Sequence, residues 1–172
     1  MILILLVGLL LAPAGLAKEL PPTVDVAGKR LRLNGAATFR KWFFSIYDVG
    51  LYLEKPTRDS SEVLASDQLK RLHVHLLRDA SRDQVVNLLR WRLQTVSGAD
   101  YEKIRVRVDR LLSEIPDGKK GTDLFITWIP DRGTVLSSGN GREVVVEGKD
   151  FADALFNVWL QDKRIRPGLL RQ

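Results

Sequence analysis

The chain has 172 residues, 45% hydrophobic and 28% charged, a composition that supports one globular domain with a sizeable core and excludes a low-complexity or disordered chain. It has no cysteine and only two histidines, which rules out disulfides and thiolate chemistry and leaves no dedicated zinc or haem site; no cofactor or metal is expected. The net charge of +6 is spread over arginines such as Arg90, Arg105 and Arg110, read as solvated helix faces; no nucleic-acid motif accompanies it, and only a weak attraction to an anionic membrane surface is expected.

Residues 1–17 carry no charged side chain and end Ala-Pro-Ala-Gly-Leu-Ala before Lys18-Glu19. The stretch is short for a membrane span, and small residues at Gly15 and Ala17 suit signal-peptidase cleavage. Residues 1–17 therefore read as a signal peptide and 18–172 as one exported, periplasmic, monomeric domain. Val24 and Val26 alternate with Asp25, and Ala27-Gly28-Lys29 turns the chain into Leu31 and Leu33, a hairpin with one wet face.

Leu33 to Leu53 reads as one long central strand that opens on the small residues Asn34-Gly35-Ala36. Phe43, Tyr47, Val49, Leu51 and Leu53 fall on one parity, and Trp42, Phe44, Ile46 and Tyr52 on the other. A strand apolar on both faces needs cover on both, so Trp42 and Tyr47 are expected in the core. Arg40 and Asp48 interrupt it about 26 Å apart on a straight strand, too far to pair. Pro56 ends the strand, and Ser60-Ser61-Glu62 begins a short helix.

Leu69 to Arg78 is a second core strand, with Leu72, Val74 and Leu76 on one face and His73 and His75 on the other. The histidines have no third ligand nearby in sequence and read as a core-edge pair rather than a metal clasp. Ser81 and Gln84 form a capping box ahead of a helix whose apolar set is Val85, Leu88, Leu89, Leu93 and Val96, with Arg82, Arg90 and Arg92 outside it. Ser97-Gly98 breaks that helix. Asp100 can cap the next, which buries Tyr101, Ile104, Val108, Leu111, Leu112 and Ile115.

Thr122–Ile129, Thr134–Ser138 and Glu143–Val146 read as a three-strand meander, with Asn140-Gly141 as a two-residue turn. Asp150 can cap a last helix with Phe151, Ala154, Leu155, Val158 and Trp159 inward, and Lys163 to Gln172 reads as a loosely docked tail. Strands and helices are segregated, which points to the α+β class: an antiparallel β-sheet with helices layered on one face.

Four blocks carry a resemblance: Leu33–Glu54; Leu72-His-Val-His-Leu-Leu-Arg-Asp79 with the Ser81 helix; Gly121-Thr-Asp-Leu-Phe-Ile with Pro130-Asp-Arg-Gly133; and Asp150–Leu160 followed by Asp162-Lys163. In order and spacing they resemble the chalcone isomerase superfamily, in particular its bacterial exported chalcone-isomerase-like branch; Gln161 departs from the glycine usual in relatives. The resemblance implies the open-faced β-sandwich of that fold. It also implies a pocket where an arginine orients substrate oxygens and a strand threonine and a tyrosine hold a water or an oxyanion. Matched by position, the arginine falls on Arg40 (Phe39 in a strict ungapped match), the strand threonine on Tyr47 and the tyrosine on Tyr101. The remaining polar positions fall on Val108 and on or beside Val158.

Valines there make a greasier cavity with one cationic end, suited to a hydrophobic carboxylate like those taken by the superfamily's fatty-acid-binding members. The expected function is thus non-catalytic binding of a small hydrophobic or carboxylate ligand, with Arg40 as anion anchor and Tyr47 and Tyr101 as hydroxyl partners. The alternative is an intramolecular lyase or isomerase of chalcone type in which Arg40 and Tyr101 stabilise an oxyanion, with Asp48 the one candidate base. A third reading is a cavity-free interaction domain. Tyr101 as a plain core residue and Arg40 paired with a surface carboxylate stay open.

Overall fold

The computed structural model describes residues 20–138 and 141–171, so the expected signal peptide at 1–17 and Asn140 of the expected turn lie outside the described residues. Seven strands follow one another in space as they do in sequence: β1 (Thr23–Val26), β2 (Lys29–Lys41), β3 (Phe44–Leu53), β4 (Lys70–Leu76), β5 (Asp123–Ile129), β6 (Gly133–Ser138) and β7 (Glu143–Val146). Every neighbouring pair is antiparallel. The helices are α1 (Ser60–Ala65), α2 (Arg82–Ser97), α3 (Tyr101–Ser113), α4 (Lys149–Leu160) and α5 (Arg166–Leu169). The α+β architecture, an antiparallel sheet with its helices on one face, is the one that the segregated pattern predicts.

Alternation along the strands sets the two faces. Val49, Leu51, Leu72, Val74, Ile126 and Trp128 join Leu93, Val108, Leu111, Phe151, Leu155 and Phe156 in one core between sheet and helices. Buried Lys70 points the same way; its ammonium donates to the Val63 and Ser66 carbonyls at 2.7 and 3.2 Å, tying the end of α1 to the sheet. On the opposite face Tyr52 packs with Val26, Leu31 and Leu69, and residues 20–22 cross the sheet there. The Tyr52 hydroxyl donates to the Pro21 carbonyl at 3.0 Å, and the Leu33 N–H donates to that of Pro22 at 2.9 Å.

The structure corrects four readings. Leu33–Leu53 is not one strand: the chain reverses at Trp42-Phe43 and β3 returns along β2, pairing Thr38 with Asp48 and Arg40 with Ser45. Trp42 is therefore 86% exposed instead of core. The run of aromatics hides this turn because it lacks the Gly and Asn that usually mark one; Trp42 itself takes the positive φ, +56°. Arg40 and Asp48 thus lie near one another along the hairpin, not at the two ends of a rod.

Second, the tail is docked. Ile165 and Leu169 are buried, and the Asn34 side chain donates to the Leu169 carbonyl at 2.7 Å. Gly35 is the seat: a Cβ there would sit 2.2 Å from the Gly168 carbonyl oxygen. Asn34-Gly35-Ala36 is accordingly a bulged stretch inside β2.

Third, neither expected aspartate cap forms: Asp100 precedes α3 but accepts from Lys103 Nζ at 2.7 Å instead, and α4 starts at Lys149 after Gly148 with no side-chain cap. Asp150 instead receives Arg107 in a fork, Nη1–Oδ1 2.7 Å and Nη2–Oδ2 2.6 Å. Fourth, Leu88 is half exposed, whereas Arg92 turns toward α4 and donates to the Val158 carbonyl. The capping box at Ser81 and Gln84 forms as the sequence predicts.

Candidate functional site

Tyr47 enters β3 just after a bulge, where Phe39 pairs with Tyr47 but Arg40 with Ser45. As direct cross-strand partners both rings lie on the helix side of the sheet, where they stack with centroids 5.0 Å apart. Burial pushes the Tyr47 hydroxyl up to about 12, so it is a neutral donor throughout the physiological range; Asp162 adds to the rise, while Arg92 and Arg164 oppose it. The Trp159 indole N–H faces this hydroxyl, yet it closes no hydrogen bond of normal geometry.

Above the stacked pair lies a charged rim drawn from α2 and the chain after α4. Arg164 grips Asp162 through Nε–Oδ1 at 3.0 Å and Nη2–Oδ2 at 2.8 Å. Arg92 reaches the same Oδ2 at 3.1 Å. Arg164 holds the nearly buried Asp162 carboxyl below its usual range, against the opposing effect of burial. The Arg164 guanidinium also lies 4.5 Å over the Phe39 ring. Two guanidinium groups share one carboxylate here, which leaves one positive charge in excess beside a neutral phenol.

Tyr101 begins α3 and is buried in the main core, its hydroxyl without a hydrogen bond of normal geometry. Ser97, at the end of α2, has a buried hydroxyl in the same condition. Three buried groups in the helix layer, on Ser97, Tyr101 and Trp159, thus close no hydrogen bond of normal geometry, although Trp159 faces Tyr47 and Tyr101 faces Arg90.

The expected trio is not gathered into one cluster. Tyr47 and Tyr101 both belong to the sheet–helix core, while Arg40 is exposed beside the β2–β3 turn. Among the described residues no hydrogen bond or ion pair involves the Arg40 guanidinium. The cations that face Tyr47 are Arg92 and Arg164. Sequence reasoning missed both, and Asp162 with them, because their shared contact joins α2 to the chain after α4. The signal in the sequence was Arg92 itself, a cation on the border of the apolar stripe of α2.

Asp48, the one candidate base, stands on the sheet face away from the helices. Its Oδ1 accepts from the Thr38 hydroxyl at 2.5 Å, and its buried Oδ2 has no hydrogen-bond partner. Next to it Asp123 Oδ1 accepts from His73 Nε2 at 2.7 Å and His75 Nδ1 at 2.8 Å, so the histidines straddle a carboxylate at the core edge. Among the described residues no three acidic or histidine side chains are placed to hold a metal. An open cleft of about 710 Å³ lies elsewhere, between the β5–β6 turn and the start of α4, with Trp128, Asp67 and Lys149 among its walls.

The sequence family described as chalcone isomerase-like matches residues 16–171. No curated protein matches the chain. Among solved structures, the fold is similar to a fatty-acid binding protein of Arabidopsis thaliana, with a TM-score of 0.66 at 11% identity over 88% of this chain and 90% of that one. At that identity the likeness is one of fold.

Proposed function

Because the chain belongs to the chalcone isomerase-like family, we propose that it is a non-catalytic binder of a small hydrophobic carboxylate, fatty-acid-like in chemistry, and that it works as an exported, periplasmic protein of the bacterial branch. The observation that carries this reading is the pair of guanidinium groups, Arg92 and Arg164, that meet at Asp162 beside the buried Tyr47 hydroxyl and the Trp159 indole N–H, which closes no hydrogen bond of normal geometry. Leaving such a group unpaired costs about 1–3 kcal/mol, which a bound headgroup recovers by accepting from it. The fatty-acid binding of the structural neighbour is consistent with an apolar chain lying between sheet and helices.

In this reading the acyl chain runs past Phe39 and Tyr47 toward Tyr101, and the carboxylate sits against Arg164, whose Nη1 has no hydrogen-bond partner among the described residues. Tyr47 donates to the same headgroup. Arg40, expected from the family match as the anchor, stays a candidate at the outer edge, and its substitution belongs in the test. The competing lyase needs a base on the helix side, and Asp48 lies on the other side of the sheet.

The test is equilibrium binding of palmitate to delipidated protein, with naringenin chalcone turnover measured alongside. Palmitate should bind, Arg164→Gln should weaken it about tenfold or more through loss of a charge-assisted pair, and Tyr47→Phe about fivefold. Chalcone turnover without palmitate binding would replace this reading with the lyase. Binding weakened by Arg40→Gln but not by Arg164→Gln would move the anchor back to Arg40.

A further inference from the structure

The β2–β3 hairpin ends in a tip that packs against almost nothing. Trp42 and Phe43 are 86% and 98% exposed, and Phe44 is 49% exposed. Successive side chains of a hairpin turn point in different directions, so the three rings cover a convex point instead of lining a groove. Trp42 holds φ +56°, a conformation that bulky residues rarely adopt, so the backbone presents this ring outward at a conformational cost.

Cations surround the tip. Arg40 and Lys41 precede it and are exposed, and the Arg78 guanidinium lies 4.3 Å over the Phe44 ring. Lys119 and Lys120 sit on the turn into β5, at the same end of the sheet, because β3, β4 and β5 run antiparallel. Two acidic side chains lie among them: Asp79, held by the Lys120 N–H at 2.8 Å and by Lys119 Nζ at 3.6 Å, and Asp117, which accepts from the Arg82 N–H at 2.7 Å.

We propose that this tip docks the protein on an anionic lipid bilayer, with Trp42, Phe43 and Phe44 entering the headgroup–acyl boundary while Arg40, Lys41 and Arg78 remain at phosphate level. The chemistry favours a lipid surface over a second copy of the chain. A flat protein partner could cover only one side of the tip, whereas a fluid interface surrounds all three rings. Aromatic side chains between arginine and lysine match the polarity gradient of that interface, and the basic end of the sheet supplies the attraction to anionic headgroups. The inference does not depend on the ligand proposed above.

The absence of cysteine permits a local test, since Phe43→Cys in the full chain accepts a single nitrobenzoxadiazole label. A second protein labelled at Val106→Cys, an exposed position on α3, is the control. With vesicles of phosphatidylcholine and phosphatidylglycerol, the emission at position 43 should shift to the blue and become quenchable by brominated acyl chains, while position 106 stays aqueous. Pure phosphatidylcholine vesicles should give a much smaller shift. Reversing the charge with Arg40→Glu and Lys41→Glu should lower partitioning at least about tenfold. The proposal is overturned if position 43 stays aqueous while the protein sediments with vesicles, or if both labels shift alike. It is also overturned if position 43 shifts with protein concentration in the absence of lipid, which would indicate a second copy instead.

Discussion

Asp162 decides the electrostatics of the proposed rim. Its carboxylate neutralises one of the two guanidinium groups that meet there, and without it Arg92 and Arg164 would face each other unscreened. The folded-state pKa lies below the unfolded one, so this group contributes stability above the ordinary carboxylate range and loses it as pH falls through the folded value. Asp162→Asn should therefore cost about 1–3 kcal/mol at neutral pH and leave a shallower loss of stability below about pH 4, measured by urea unfolding across pH. An acid limb identical to wild type would show that other carboxylates set it. Tyr47 works by the opposite logic: burial keeps it protonated, so it can donate a hydrogen bond to an anion but cannot act as a base.

Among the elements, α5 shows how a short segment can depend on a glycine far away in sequence. Four residues cannot hold a helix by themselves. This one is fixed by the burial of Leu169, by Asn34 on its carbonyl, and by direct backbone contact at Gly35. Gly35→Ala places a methyl group against backbone, which cannot rotate away, and should destabilise the protein by about 1–3 kcal/mol in chemical denaturation. Gly28→Ala, at a turn with open space around it, is the comparison; its cost should come from the +77° φ alone. Equal effects at the two sites would remove the packing argument. The β2–β3 hairpin is the reverse case, an element stabilised along its length by pairing and left bare at its end.

At the scale of the whole molecule, one meandering sheet carries different chemistry on its two sides. The helix side is apolar, with a few buried donors and a cationic rim; the other side carries Asp48, His73, His75 and Asp123. Binding in the layer between sheet and helices stabilises the folded state by mass action, about 2.7 kcal/mol at a ligand concentration of 100 times Kd. Palmitate should accordingly raise the Tm of the wild type, and raise it less in Arg164→Gln at the same concentration. A rise unaffected by that substitution would place the ligand elsewhere, with the 710 Å³ cleft beside Trp128 the next place to look.

Periodicity along the chain was enough to determine the α+β class, the three-strand meander from β5 onward, the capping box of α2 and the inward faces of α3 and α4. Those features depend on residues a few positions apart, whose spacing the sequence displays directly. Tertiary structure alone decided the reversal at Trp42-Phe43, the seat of α5 on Gly35, and the meeting of Arg92, Asp162 and Arg164. A turn without glycine or asparagine leaves no local mark, and an arginine 66 residues from the carbonyl that receives it has no spacing to betray the contact. Which charges come together follows from how the helices cross the sheet, and packing determines that.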